Sequence, residues 1–152
     1  SGQDLVLDAG SGIRLLGREM MRREFGQGRG EAHILVGHTH WDHILGFPFF
    51  EPLMRAGNRF LVVSAGQTGT HIRDIRSGQQ EYINFPRSLE HVRARQEYLS
   101  FKPGGVLDLG EFRVETVQLN HPGITVGYRI EADGGLCSHG GRQGEDQYRL
   151  ED

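Results

Sequence analysis

Three stretches of the chain are apolar without alternation: Leu5-Val6-Leu7, Ala32-His33-Ile34-Leu35-Val36, and the centre of Arg59 to Ser64. Continuous apolar runs of this length read as strands, and the β-branched third run reads as buried on both faces. From Arg95 onward the pattern changes to period two. Gln96 to Phe101, Val106 to Leu109, Phe112 to Leu119 and Thr125 to Ile130 predict further strands. Lys102-Pro103-Gly104-Gly105 supplies turn chemistry, and Gly110-Glu111 predicts a hairpin. Between the runs the period lengthens. Ile13, Leu16 and Met20 fall on one helical face, with Arg14, Arg18 and Arg22 on another. The expected helix runs from about Ile13 to Phe25, with Ser11 as N-cap and Gly26 as stop. A helical turn is expected over Glu51 to Ala56. A short helix is expected over Thr70 to Ser77, with Ile72 and Ile75 inward and Gly78 ending it. Gln79 to Arg87 reads as irregular, and Ser88 begins a further helix through Val92. A strand, helix, strand, strand order followed by a meander predicts a layered α/β architecture.

The periodicity stops after Ala132. Asp133 to Asp152 holds five glycines and neither apolar period, so it is expected to be disordered or loosely attached. The domain is therefore expected over residues 1–132, with 133–152 as a tail. Glycine makes up 23 of the 152 residues, roughly twice the ~7% average, which fits short elements joined by tight loops. A net charge of −3 and a pI near 6.2 predict no broad basic surface for nucleic acid, while leaving local binding of an RNA or nucleotide open. The single cysteine, Cys137, excludes an intrachain disulfide and fits a reducing, cytoplasmic compartment. No run approaches the ~18 apolar residues of a membrane span, so no membrane partner is expected.

The chemistry concentrates at Gly37-His38-Thr39-His40-Trp41-Asp42-His43, directly after the second apolar strand. His38, His40, Asp42 and His43 crowd six positions at a strand end, where a loop turns several side chains toward one point. Neutral imidazole and carboxylate suit zinc, iron or manganese. The alternative is a polar loop of exposed histidines. The following Ile44 to Phe50 is apolar and broken by Gly46 and Pro48. Trp41, Phe47, Phe49 and Phe50 are placed either as walls of a substrate pocket or as core. His33, in the strand before the motif, is expected to pack or sit at an edge. His71, His91 and His139 are expected to be solvent-exposed, with service as a metal ligand the alternative for His139.

The H-x-H-x-D-H pattern resembles the metal-binding signature of the metallo-β-lactamase superfamily. Leu7-Asp8-Ala9-Gly10-Ser11-Gly12 resembles the D-x-G turn before that family's first long helix, which places Asp8 beside the motif loop as a supporting residue. His40-Trp41-Asp42-His43 with Gly46-Phe47-Pro48-Phe49-Phe50, and Leu119-Asn120-His121-Pro122-Gly123 with Gly127 to Glu131, are similar to the branch allied to tRNA 3′-processing endonuclease and cyclic-nucleotide phosphodiesterases. The resemblance covers about Asp4 to Ala132. It implies part of an αββα sandwich that lacks the opening strands and the C-terminal half. It implies two Zn2+ ions per intact domain, with Mn2+ or Fe as substitutes. His38, His40 and His121 would bind one ion, and Asp42 and His43 the other. Asp42 would also orient a hydroxide held by the metals, making it the catalytic residue. The family's bridging aspartate and final histidine have no match here.

The implied activity is metal-dependent hydrolysis of a phosphodiester, in a small-molecule or nucleotide substrate. Two other outcomes remain open at this level: a non-catalytic remnant binding at most one ion, and a non-haem iron redox site.

Overall fold

The computed structural model describes residues 2–66, 72–81, 83, 92–132, 135–140 and, for the backbone alone, 149–151. Four strands, β1 (Asp4–Leu7), β2 (Glu31–Val36), β3 (Arg59–Ala65) and β4 (Arg95–Phe101), form a parallel sheet in that order. Five more, β5 (Val106–Leu109), β6 (Phe112–Gln118), β7 (Val126–Ala132), β8 (Gly135–His139) and β9 (Arg149–Glu151), form an antiparallel sheet, also in chain order. Helices α1 (Ile13–Met20), α2 (Trp41–Ile44) and α3 (Ile72–Gln79) share the outer layer with short 3-10 turns at Glu24–Gln27, Phe47–Phe49 and Glu51–Met54.

The continuous apolar strands explain the layering. In β2 and β3, Ile34, Phe60 and Val62 point into a core with Ile13, Met20, Phe25, Phe47, Phe50 and Leu53. Their neighbours Leu35 and Val63 point the other way, against Val114, Val126, Tyr128 and Ile130 of the second sheet. Each side chain so buried contributes up to about 1.5–3 kcal/mol, against the entropy of ordering it. Helix layer, parallel sheet and antiparallel sheet are three of the four layers of an αββα sandwich. The outward face of the antiparallel sheet carries a lattice of Arg113, Glu115, Arg129 and Glu131. Among the described residues no helix is long and apolar enough to cross a membrane.

Several expectations need correction. The helix expected over Ile13 to Phe25 ends at Met20, and Gly12, not Ser11, is its N-cap, without a side-chain cap bond. The chain doubles back there: a β-carbon on Gly26 would collide with Met21 O, and Gly28, at φ 71°, ends the following turn. The inward face of α1 is Ile13, Gly17 and Met20, while Leu16 is 38% exposed. Gly17 lets the helix lie against the Phe50 ring, which a β-carbon would meet at 2.7 Å. Among the described residues helix α3 runs through Gly78 to Gln79, burying Ile72, Arg76 and Gln79; its expected start at Thr70 lies outside them. The expected helix at Ser88 to Val92 lies almost wholly outside the described residues.

The tail expectation fails at Gly135–His139, which pairs antiparallel with β7, and Arg149–Glu151 pairs in turn with β8. Backbone pairing on an open sheet edge needs no apolar period, and that is why the glycine-rich sequence concealed it.

Candidate metal centre

The site forms at the carboxyl ends of β1 and β2, the usual ligand-binding edge of a parallel sheet. After Val36 the chain leaves the sheet as Gly37 to His40 and turns into α2, whose first residue is Trp41. Two backbone bonds fasten α2 to the turn after β1: Ala9 N–H donates to His43 O and Gly46 N–H to Ala9 O, both at 2.7 Å. From α3, Gln79 Nε2 donates to Ile44 O (2.9 Å), while the buried Arg76 guanidinium stacks 4.2 Å over the Phe47 ring centre. The start of β7, which follows the loop carrying His121, is tied to the same edge by Val126 N–H to Gly37 O (2.9 Å) and Tyr128 O–H to Val36 O (2.8 Å). Burial pushes the Tyr128 phenol above its ordinary value, so it stays protonated and keeps the hydrogen that it donates to Val36 O.

These ties bring the sequence-distant residues together. His38, His40 and His121 offer ligand atoms that all lie within 4.8 Å of one another, and so do His38, Asp42 and His43. His38 Nε2 lies 3.1 Å from His40 Nδ1, and His121 Nε2 lies 3.4 Å from that same Nδ1. The His38 ring is centred 3.9 Å from His43 and 4.9 Å from His121, so it stands at the junction of both groups. It is 9% exposed, whereas His40 is open and the Asp42 side chain is 76% exposed. The site therefore has a closed floor and an open rim.

Asp8 supports the floor. It ends β1 at φ 60°, a left-handed conformation rarely adopted by non-glycine residues. Its Oδ1 accepts from Gly37 N–H and its Oδ2 from His43 Nδ1, both at 2.7 Å. Burial alone would raise the Asp8 carboxyl. Hydrogen bonds from His139, Gly37 and His43 outweigh it and hold the group below its ordinary value. An ionised carboxylate only accepts, so the His43 proton sits on Nδ1. The Nε2 lone pair then faces Asp42 Oδ2 at 3.2 Å. Burial, then the charges of His43, His40 and His121, lowers His38 to about 4. Imidazole nitrogens and a carboxylate oxygen gathered at separations of 3.1–3.4 Å form a donor set that suits a divalent cation.

The other candidates separate cleanly. His33 makes a 3.1 Å contact with Gln3 Oε1 and stands edge-on to Phe112, away from the cluster. Phe47 and Phe50 are fully buried core, while Trp41 (64%) and Phe49 (51%) are exposed. His71 and His91 lie outside the described residues. His139 is not solvent-exposed as expected: its side chain is 13% exposed, with Nε2 3.2 Å from Asp8 Oδ2. Its one sequence signal is its register opposite Tyr128, visible only once β8 is recognised as a strand.

No family model matches the chain. Two curated sequences do: ribonuclease Z of Haloferax volcanii, 47% identical over 136 residues, and ribonuclease Z of Haloarcula marismortui, 28% identical over 136 residues. Each alignment takes in 87% of this chain, which spans only 38–39% of these relatives' length. Among solved structures, the metallo-β-lactamase-fold protein YhfI of Bacillus subtilis superposes with a TM-score of 0.58 at 17% identity, over 90% of this chain and 50% of that one. The short form of human tRNase Z superposes at 0.56 with 17% identity, over 94% and 60%.

Proposed function

We propose that the chain belongs to the metallo-β-lactamase superfamily, in the branch allied to the tRNA 3′-processing endonucleases, and that it carries the metal-binding centre of a phosphodiester hydrolase acting on RNA. The observation that carries this reading is the convergence of His38, His40 and His121 with Asp42 and His43 at one open-rimmed point. His38, His40 and His121 would hold one divalent ion, with zinc the best match to an all-imidazole set. Asp42 and His43 would hold a second. A bound divalent ion lowers the pKa of water and polarises a phosphoryl oxygen. The exposed Asp42 carboxylate accepts a proton from the attacking water and orients it toward phosphorus. Asp8 keeps His43 in the tautomer that presents Nε2. The relatives' names point to an RNA substrate, and the exposed rim leaves room for a polynucleotide to approach.

A second reading, a centre that binds one ion without turnover, has its own support. With His38 committed to the first ion, the second finds only Asp42 and His43 among the described residues, fewer than the three protein ligands usual for catalytic zinc.

Hydrolysis of a bis-aryl phosphodiester and of a short RNA, with Zn2+ or Mn2+ supplied, tests the proposal. Metal-dependent turnover that falls at least ~100-fold in Asp42→Ala is expected, the scale of a lost acid–base group. Undiminished turnover in that variant contradicts the mechanism. Binding of a single ion with no turnover by the wild-type chain favours the second reading.

A further inference from the structure

We propose that His139, on β8, is a positioning residue that fixes the Asp8 carboxylate and, through it, the ligand nitrogen of His43. The proposal rests on the reading of His43 as a metal ligand. No sequence motif marks His139, and it stands 131 positions from the residue it touches.

The strand register explains why this histidine faces inward. In an antiparallel pair, directly opposed residues share a face. His139 opposes Tyr128 and Cys137 opposes Ile130, and both Tyr128 and Ile130 are buried in the core between the sheets. The His139 ring therefore enters the sandwich at the edge where the metal loop lies. An imidazole only 13% exposed needs hydrogen-bond partners, and one of them here is Asp8 Oδ2 at 3.2 Å. The same oxygen accepts from His43 Nδ1 at 2.7 Å, while Oδ1 accepts from Gly37 N–H. The carboxylate is thus held from three directions: the metal loop through Gly37, helix α2 through His43, and the second sheet through His139. Remove the third and Oδ2 is oriented by His43 alone, the group it is meant to orient. Asp8 accepts from His139, so the proton of His139 sits on Nε2.

Two substitutions separate positioning from packing. Gln places an amide nitrogen near the imidazole Nε2, whereas Asn is one methylene too short to reach Asp8. Co2+ titration of the metal-free chain, read by absorbance, gives affinity and coordination. Nitrogen-15 spectra of the metal-free histidines give the tautomers. In His139→Asn we expect Co2+ affinity about tenfold weaker, the lower end for loss of a supporting group around a metal ligand, and a displaced His43 Nδ1–H signal. In His139→Gln we expect affinity within about threefold of wild type and the His43 signal retained. Unchanged affinity in the Asn variant, or equal losses in both, overturns the proposal. Should a substitution prevent folding, the wild-type spectrum decides: a His139 proton on Nδ1 overturns it. A wild-type chain that takes up no Co2+ counts against the metal reading instead, and the tautomer of His139 still decides this one.

Discussion

His38 is the floor of the cluster, and its environment sets how the centre responds to acid. Burial and the neighbouring imidazoles lower it to about 4 from an ordinary 6.5. Below pH 6.5 the unfolded chain takes up a proton here that the folded chain refuses. The stability contributed by neutral His38 is therefore complete above about 6.5 and is lost as pH falls toward 4. Denaturant midpoints of the metal-free chain at stepped pH should fall over that window, and less steeply in His38→Gln; parallel slopes for the two chains contradict this. Tyr128→Phe deletes the donor to the buried Val36 carbonyl and should cost about 1–2 kcal/mol in chemical denaturation. A neutral substitution would mean that the carbonyl finds another partner. At this scale His38, His40, Asp42 and His43 were legible because their spacing is local. Asp8 was legible as a neighbour of the loop but not as the acceptor for His43, and His139 was not legible at all. Contacts across 35 and 131 positions exist only after the sheets have assembled.

Helix α2 is one turn long and depends on what encloses it. The turn after β1 is laced to it by Ala9 and Gly46, and a β-carbon on Gly46 would collide with Gly10 O. Backbone on both sides leaves little room to relax. Gly46→Ala should therefore cost at least about 2 kcal/mol, near the middle of the range for overpacking, and should weaken metal uptake by moving His43. Thermal unfolding with and without Zn2+ reads both, and an unchanged midpoint contradicts the tight approach. The buried strands were readable from their continuous apolar runs, and the hairpin of β5 and β6 from alternation and its Gly110-Glu111 turn. The end of α1 was misplaced because Gly26 and Gly28 act through backbone contacts that helical periodicity does not register. Strand β8 was missed because pairing, not amphipathic pattern, holds it.

The whole molecule is two sheets face to face, with the helical layer outside the parallel sheet and the candidate centre at the edge where both sheets meet. A layered α/β architecture was legible from the order of continuous and alternating apolar runs, and the two-sheet sandwich from the family resemblance. What sequence could not give is the distance between the loop after β2 and the loop after β6, which the Tyr128 and Val126 ties set. The central claim is that these two loops bind one ion together. It is tested most directly by zinc-edge X-ray absorption of the purified chain loaded with one equivalent of Zn2+, beside His121→Ala. The account predicts an imidazole-rich shell at about 2.0–2.1 Å that loses one imidazole in the variant. A zinc shell identical in the two chains would contradict it.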